Sequence, residues 1–447
     1  MRKMSIGRAV RFCRWRNRYI SDKIYLAIVA MLIGLVAGCA AHILKYLINW
    51  LAAIVRPAMH AGSLNFWLLI LPVIGILLTG IYVRYILKIN IYQGVPVLIN
   101  ELKQHPRSLP SKLMIAPIIA NTLTLGMGGS AGPDNPIAYA SAALGSNLGR
   151  WFVIPRDYRT LFVACGAGSG IAGVFTAPVA GLLYVAEVVK YPVTRVAVIL
   201  LAVCCLTSGI VAFMLAGMSF DVTVDYSGLP TWSLLAIGVL LGVCCGLYSY
   251  YYGFSKDKAE HYFGGMTNRW KANLLSGLTV GVMVMLFPVL FSMGYNTIIA
   301  LINGHNETIG VDFPFYGGEL TPVMLIALGA CVLLLKGFAN GATMSGGGMA
   351  GEFTPSLFAG AVAGFVFATI CKVCFGLEIP LPIFALMGMA GVMAGVIGAP
   401  LTAIFITIEM SGAYHYFLPV TLVAVVSIAV RKFLDSTEAK KGYILKL

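Results

Sequence analysis

The stretch "GGSAGPDNP" (residues 128–136) interrupts a long apolar region and decides how the chain must fold. It follows "LMIAPIIANTLTLGM" (113–127) and leads into "IAYASAALG" (137–145). Glycine and proline do not favour a continuous helix, and in lipid every backbone polar group needs a partner. The stretch therefore predicts a broken helix that is covered by protein or lines a water-filled cavity. Its carboxylate, Asp134, is a candidate functional group because charges at membrane depth are costly.

The composition of the 447 residues places the rest of the chain in a membrane as well. Apolar residues make up 59% and charged residues 11%, against about a quarter charged in soluble domains. Several runs come close to or exceed the roughly 20 apolar residues that cross a bilayer. These runs are 25–55, 66–88, 194–217, 231–252, 320–336 and 416–430. They are continuously apolar rather than alternating, which favours an all-α polytopic membrane protein over a β-barrel.

Much of the net charge of +14 lies at the ends of the chain, and it does not indicate nucleic-acid binding. Eight Lys and Arg residues precede the first apolar run, and residues 431–432, 440–441 and Lys446 follow the last. Basic flanks stay on the cytoplasmic side, so we expect both termini to be cytoplasmic and the number of full crossings to be even. We expect no cleaved signal peptide, no metal or other cofactor, and ordinary apolar packing of the ten cysteines.

The chain contains an internal repeat. The stretch 128–145 resembles "GGGMAGEFTPSLFAGAVAG" (346–364), and "AGVFTAPVAGLLYVAE" (172–187) resembles "AGVIGAPLTAIFITIE" (394–409). In the second pair, each Ala-Pro is followed by a Glu nine positions after the Pro. Two halves with matching breaks predict a transporter-type fold with its binding site where the repeats meet. Proline kinks alone would explain one such stretch but not four in register.

Each Gly-rich break is suited to form an anion site without a full positive charge. A turn that enters a helix exposes unpaired backbone N–H groups at the positive end of the helix dipole. Neither long break contains Lys or Arg, which favours binding weak enough for the anion to leave. Candidate helix N-termini follow "GGSAGPDNP", "SGGGMAGEFTP" (345–355) and "YQGVP" (92–96).

These motifs, in this order, resemble those of the CLC family of chloride channels and chloride/proton antiporters. "YQGVP" resembles the family's G-S-G-I-P motif, "GGSAGPDNP" its G-R-E-G-P motif, and "GEFTP" (351–355) its G-x-F-x-P motif. The segment "GMAGVMAGVIGAPLTAIFITIEMSGAY" (388–414) resembles a further family signature. The resemblance covers about residues 25 to 447. It implies an all-α fold of two inverted-topology repeats with many broken, tilted helices.

The resemblance also implies how the chain is organised. The expected segments are a basic cytoplasmic N-terminal segment (1–24), a first transmembrane repeat (25–220), a second transmembrane repeat (221–435) and a short C-terminal helix on the cytoplasmic side (436–447). A homodimer with one pore per subunit is expected, as in prokaryotic members without CBS domains. Its partners would be the lipid bilayer of a bacterial inner membrane, chloride or a similar small anion, and protons, with no nucleic acid.

The resemblance gives Asp134 a gating role, because it stands where the family has its gating glutamate. A carboxylate at a helix N-terminus competes with the permeant anion for the same N–H groups. Asp is one methylene shorter than Glu, which shortens its reach by roughly 1.5 Å on covalent geometry. A simple helix N-cap is the alternative interpretation of the same residue.

The resemblance predicts the remaining anion ligands. Gln93 replaces the serine of the first motif, beside Gly94, and its amide N–H groups still donate. Glu352 and Phe353 are expected to contribute backbone N–H groups, and Tyr443 a hydroxyl from the cytoplasmic side. A tyrosine near a basic terminus is alternatively an interfacial anchor.

Three carboxylates and one missing carboxylate bear on proton coupling. Antiporters of the family often carry an inner glutamate directly after the conserved Glu of the Ala-Pro helix, but here Glu187 is followed by Val188. Glu187 and its repeat counterpart Glu409 are predicted to be structural partners of backbone donors. Glu352 replaces a usually apolar residue, so it either faces a vestibule or acts beside Asp134 as a substitute proton-transfer group.

The missing inner glutamate favours channel-like or weakly proton-coupled flux of chloride or a similar anion. The retained carboxylate of Asp134 leaves a chloride/proton antiporter as the alternative, and the change at Gln93 leaves a fluoride exporter as a further one. An intramembrane enzyme would need a nucleophile with a base in reach, or metal ligands, in the spans. Ser169 and Ser345 are expected on Gly-rich turns, but no apolar span supplies a paired His. We therefore predict a channel or transporter and not an enzyme.

Overall fold

The helices of the protein follow the apolar runs and are interrupted at the Gly-rich and Pro-rich breaks. This computed structural model describes residues 18–55, 65–88, 109–216, 231–305, 320–377 and 379–444. Its helices are α1 (Asp22–Val55), α2 (Phe66–Ile81), α3 (Ala116–Gly126), α4 (Asp134–Trp151), α5 (Arg159–Phe175), α6 (Pro178–Glu187), α7 (Arg195–Leu215), α8 (Thr231–Gly264), α9 (Arg269–Leu286), α10 (Tyr295–Ile302), α11 (Pro322–Ser345), α12 (Phe353–Phe375), α13 (Leu381–Ile397), α14 (Pro400–Ser411) and α15 (Phe417–Ile444). The described residues contain no β-strand, so the predicted all-α architecture is confirmed for them.

Polar side chains begin several of these helices. Asn65, Thr194, Asn268 and Thr321 precede α2, α7, α9 and α11, and the side-chain oxygen of each accepts a backbone N–H of the first turn. Such caps satisfy N–H groups that have no partner within the helix, and each is worth about 1 kcal/mol. The loops between the apolar runs therefore specify where these helices start.

The internal repeat is visible in the backbone before α6 and α14. Each of these helices has proline at its first position, Pro178 and Pro400, which need no N–H there. The preceding residues have nearly the same conformation: φ −127° and ψ 83° at Ala177, φ −125° and ψ 78° at Ala399. The helix before each of them ends in a left-handed residue. The similarity in sequence is thus a similarity in local structure.

Seven of the described helices are long and apolar enough to cross a membrane, judged by length and composition. These are α1, α2 with the π-helical turn that follows it, α7, α8, α11, α12 and α15. Three further apolar helices, α6, α13 and α14, have only 10–17 residues. Long spans mixed with short apolar helices agree with the predicted polytopic fold of broken helices, while the even number of crossings remains a prediction.

The chain forms two compact units. The first takes its described residues from Met1–Ile43, Ile91–Ile118 and Ile137–Met218. The second takes them from Leu44–Asn90, Ile119–Pro136 and Ser219–Leu447. The second unit therefore includes parts of both predicted repeats, and the repeat boundaries remain a prediction.

Small residues bring helices close together within each unit. In the first unit, a Cβ on Gly145 of α4 would collide with the carbonyl oxygen of Phe162 in α5. In the second unit, a Cβ on Gly364 of α12 would collide with the carbonyl oxygen of Phe384 in α13. Helices in membranes associate through such close backbone approach, since lipid offers no hydrophobic driving force between them.

The end of the chain differs from the prediction of a separate short helix over 436–447. Helix α15 runs without interruption from Phe417 to Ile444, so residues 436–444 continue the last long helix. The physical reason is that residues 431–441 contain neither Gly nor Pro, and nothing in that segment stops helix propagation.

Candidate anion site

The two long Gly-rich breaks lie side by side within the second unit. The N–H of Gly132 donates to the carbonyl oxygen of Gly351 at 3.0 Å, and the N–H of Gly351 donates to the carbonyl oxygen of Gly132 at 2.7 Å. This reciprocal pair joins the stretch before α4 to the stretch before α12. The breaks that the repeat predicted are thereby brought together at one place.

Threonines from the preceding helices support both breaks in the same reciprocal way. The N–H of Ser130 donates to Thr343 Oγ1 at 3.2 Å, and the N–H of Met349 donates to Thr124 Oγ1 at 3.1 Å. Ser130 thus makes the bond that its counterpart Met349 makes in the other break. The breaks are related by a local two-fold pairing, which partners backbone groups that would otherwise be orphaned at membrane depth.

Glycine is required at four positions of the paired breaks for two different reasons. Gly128 and Gly347 have φ of 97° and 109°, a backbone region that other residues rarely adopt. Gly132 and Gly351 leave room for a side chain instead, because a Cβ on Gly132 would collide with Oδ1 of Asp134 and a Cβ on Gly351 with Oδ2. The two glycines therefore form a tight cradle around one carboxylate.

Asp134 places that carboxylate on the first turn of α12. The side chain is almost fully buried, with 2% of its surface exposed. Its Oδ2 accepts the N–H groups of Glu352 and Phe353, both at 3.1 Å, and its Oδ1 accepts the N–H of Thr354 at 3.4 Å. These donors stand at the positive end of the α12 dipole, where an anion is stabilised. The protein's own carboxylate thus occupies the position predicted for a permeant anion.

These bonds distinguish Asp134 from an ordinary N-cap. Asp134 is the first residue of α4, yet the three N–H groups that it accepts lie 218 to 220 residues away along the chain. An ordinary cap bonds to the N–H groups two or three residues further along its own helix. Here the carboxylate caps a distant helix, and that is possible only because the two breaks meet.

Glu352 connects this site to an ion pair. Its Oε2 lies 2.8 Å from Nζ of Lys256 in α8, and the two side chains are 21% and 17% exposed. Its carboxylate is also close enough to Asp134 to act on it electrostatically. The carboxylate of Glu352, which replaces a usually apolar residue of the family motif, is therefore paired with a cation from α8.

A buried cation beside the breaks was also missed by sequence reasoning. Lys336 of α11 is fully buried, its Nζ donates to Oγ of Ser130 at 2.9 Å, and it lies 4.7 Å from the centre of the Phe358 ring. Neither break contains Lys or Arg, as the sequence indicated, but this ammonium reaches the first break from another helix. A signal was present, because Lys336 is a lone ionisable residue in the apolar run 320–336.

Thr354 contributes a polar group that has no partner. Its side chain is 1% exposed, and its Oγ1 makes no hydrogen bond within the part of the chain that the structure describes. A buried hydroxyl without a partner costs about 1–3 kcal/mol. The N–H of the same residue donates to Asp134, so this hydroxyl belongs to a residue that already contacts the carboxylate.

The predicted inner ligands are described only in part. Gln93 and Gly94 lie outside the described residues. Tyr443 is the penultimate residue of α15, but its side chain also lies outside the described part of the chain. Their ligand roles remain predictions. Among the described residues, no cluster of His, Cys, Asp and Glu is suited to hold a metal ion.

The carboxylates of the Ala-Pro helices occupy equivalent places in the two repeats. Glu187 is the last residue of α6 and is followed by Val188, whereas Glu409 is buried within α14. Both glutamates make polar or electrostatic contacts. Their role as structural partners of backbone donors remains a prediction.

The chain is similar to known proteins over most of its length. The model of a family described as voltage gated chloride channel matches residues 82–432. A putative chloride channel protein ClcB-like from Ralstonia nicotianae is 27% identical over 89% of this chain and 91% of its own length. The H(+)/Cl(-) exchange transporter ClcA of Vibrio cholerae is 28% identical over 67% of this chain and 62% of its own length. The crystal structure of a slow cyanobacterial Cl-/H+ antiporter matches with a TM-score of 0.75 and 23% identity, over 92% of this chain and 95% of that one.

Proposed function

Because the chain belongs to the voltage-gated chloride channel family, known as the CLC family, we propose that it exchanges chloride or a similar small anion for protons, with Asp134 as the gate. Members of this family are ion channels and transporters, so the protein is an integral membrane protein of anion transport and not an enzyme.

One observation supports the proposal above all: a buried ionisable side chain fills an anion site made of backbone N–H groups. Ionised Asp134 accepts the N–H groups of Glu352, Phe353 and Thr354, which a permeant anion would need. Protonation removes the negative charge of the carboxylate, and the charge-assisted bonds that hold it are lost. An anion then displaces it from the first turn of α12. Uptake of a proton by Asp134 and binding of an anion are thereby linked.

The surroundings of the carboxylate favour an anion without holding it too firmly. The donors are partial charges at a helix end, and the amine of Lys336 donates to Oγ of Ser130 in the neighbouring break. The direct ligands of an anion at this site would therefore be neutral. Binding that is favourable but reversible is what ion throughput requires.

Exchange is preferred to passive conduction because two acidic groups accompany the anion site. Val188, in place of the inner glutamate, favours uncoupled flux. Asp134 and Glu352 nevertheless provide two carboxylates that interact electrostatically, and we assign the second proton-transfer role to Glu352. The names of the relatives are divided between an exchange transporter and a putative channel. Gln93, Gly94 and Tyr443 are proposed as further anion ligands.

The protein is proposed to act as a homodimer with one pore in each subunit. The proposed location is a bacterial inner membrane with both termini cytoplasmic, which is supported by the bacterial relatives and by the basic residues at both ends. Cross-linking of the purified protein in detergent and in liposomes tests the dimer directly.

Reconstituted protein tests the mode of transport. In proteoliposomes loaded with chloride we expect chloride efflux together with proton uptake, and a chloride gradient should drive protons against their own gradient. Chloride flux with no proton movement at any pH would contradict exchange and establish conduction. Fluoride loaded in place of chloride identifies the anion, because a fluoride exporter would show coupled flux only with fluoride.

Replacing Thr354 with valine tests whether its unused hydroxyl binds the anion. We expect Thr354→Val to weaken the apparent chloride affinity about tenfold, since a hydrogen bond to a charged group is worth about 1.5 kcal/mol or more. Stability should rise by about 1–3 kcal/mol, because valine has a similar shape and removes the buried hydroxyl that has no partner. Thr354→Ser keeps the hydroxyl and is the matched control. Equal affinities for valine and serine variants would remove Thr354 from the site.

A further inference from the structure

A charged cluster extends from the site to the exposed end of α8. Nζ of Lys256 lies 2.8 Å from Oε2 of Glu352 and 3.8 Å from Oε1 of Glu260, one turn further along α8. The side chains of Lys256 and Glu352 are about one-fifth exposed, whereas that of Glu260 is 40% exposed. One ammonium is thus shared between an acid at the anion site and an acid near the surface.

We propose that Lys256 is a positioning residue for proton exchange. Its ammonium holds the ionised Glu352 carboxylate on the side of Glu260 and releases it when Glu352 is protonated. This inference rests on the proposed function, in which Glu352 takes part in proton transfer. No sequence motif of the family pointed to Lys256 or Glu260, which lie near the C-terminal end of α8.

The position of Glu352 makes such a role possible because its two ends face two different partners. Its backbone N–H donates to Oδ2 of Asp134 at 3.1 Å, while its carboxylate pairs with Lys256. Ionised Glu352 would repel ionised Asp134, and the ammonium offsets that repulsion. Rotation of the Glu352 side chain would therefore exchange a state that is paired with Lys256 for a state that is directed at Asp134.

The proton is conserved throughout the proposed cycle. A proton from water at the exposed end of α8 adds to the Glu352 carboxylate, which becomes neutral and breaks its ion pair with Lys256. The neutral acid then gives that proton to the Asp134 carboxylate, and Asp134 leaves the N–H groups of α12. Glu352 is again ionised and returns to Lys256. The displaced Asp134 gives its proton to water on the opposite side of the membrane, and its ionised carboxylate returns to the N–H groups of α12. Transport in the opposite direction reverses these steps.

Other ionisable groups act electrostatically on this cluster. Asp257 also acts electrostatically on Lys256 and on Glu260 from the same helix. Tyr252, one turn earlier on α8, is buried, interacts electrostatically with Glu352 and Asp134, and accepts a hydrogen bond from Nδ2 of Asn340 at 3.0 Å. Lys256 is the cation of this group that directly contacts Glu352, so its removal should have the largest effect.

The test measures the pH at which chloride-driven proton uptake is half-maximal in proteoliposomes of the full chain. Lys256→Met should raise this midpoint by about one pH unit, because an opposite charge nearby favours the ionised carboxylate and its loss lets Glu352 keep the proton to higher pH. Glu260→Gln should lower the midpoint by a smaller amount. It removes the second carboxylate that pairs with Lys256, so the ammonium stabilises ionised Glu352 more strongly. Lys256→Arg keeps the charge and should retain the wild-type midpoint.

Matched controls separate this effect from loss of fold. Lys258→Met removes an ammonium two residues away on the exposed side of α8, where it lies 4.4 Å from the centre of the Phe254 ring, and should leave the midpoint unchanged. Glu352→Gln should abolish proton uptake while keeping chloride flux, and adding Lys256→Met to it should leave that phenotype unchanged. Retained chloride flux shows that each variant is folded.

Each result decides for or against the inference. An unchanged midpoint in Lys256→Met with normal chloride flux overturns it and makes the pair structural. Shifts of Lys256→Met and Glu260→Gln in the same direction also overturn it. A wild-type protein that moves no protons overturns the exchange mechanism and this inference together, whereas coupled wild type with unshifted variants overturns this inference alone.

Discussion

Replacing Asp134 with alanine is expected to raise chloride flux about tenfold or more and to abolish its dependence on pH. The variant removes the carboxylate that accepts the N–H groups of Glu352, Phe353 and Thr354, so the anion no longer competes with it. Loss of even one charge-assisted hydrogen bond to that carboxylate corresponds to about 1.5 kcal/mol, or tenfold in occupancy. Proton uptake should be lost in the same variant. Flux from proteoliposomes at several pH values provides the measurement.

A second variant of Asp134 and a control variant accompany this experiment. Asp134→Asn keeps the size of the side chain but cannot take up or release a proton, so it should also transport without pH dependence. Asp157→Ala removes an exposed carboxylate on a short turn and should behave as wild type. Unchanged flux and unchanged pH dependence in Asp134→Ala would leave Asp134 a structural cap of α12.

Replacing Gly132 with alanine is expected to have the second-largest effect, because it displaces the same carboxylate without removing it. The new Cβ would collide with Oδ1 of Asp134 and would lie only 3.0 Å from Cδ of Pro355. Overpacking of this kind typically costs about 1–3 kcal/mol. The side chain of Asp134 is the part most free to move, so flux should rise and lose much of its pH dependence. Thermal unfolding of the purified variant should show a matching loss of stability.

A double variant tests whether the effect acts through Asp134. When Gly132→Ala is combined with Asp134→Ala, the main collision disappears, and the transport phenotype should equal that of Asp134→Ala alone. Gly149→Ala is the matched control, because its Cβ would meet its nearest neighbour, Cβ of Phe162, at an ordinary 3.8 Å. Additive effects of the two changes at the site would show that Gly132 acts on the fold and not on the carboxylate.

The sequence was sufficient to predict the class of fold and the residues around which the site is built. Continuous apolar runs specify helices in a bilayer because lipid leaves backbone groups no other partners. The same constraint makes Gly-rich breaks conspicuous, and the repeat identifies "GGSAGPDNP" and "GEFTP" as equivalent. The apolar runs and the repeated breaks can both be read from the order of residues alone. They therefore predict where α4 and α12 begin and make Asp134 a candidate site residue.

The contacts that complete the site could not be obtained in this way, because they join residues far apart in the chain. Whether Asp134 caps its own helix or α12 depends on two breaks meeting across more than 200 residues. The pairing of Glu352 with Lys256 and of Lys336 with Ser130 depends in addition on which way each side chain points from its helix. Composition and periodicity specify which face of a helix is apolar, but only the packing of the folded chain determines which charge meets which partner.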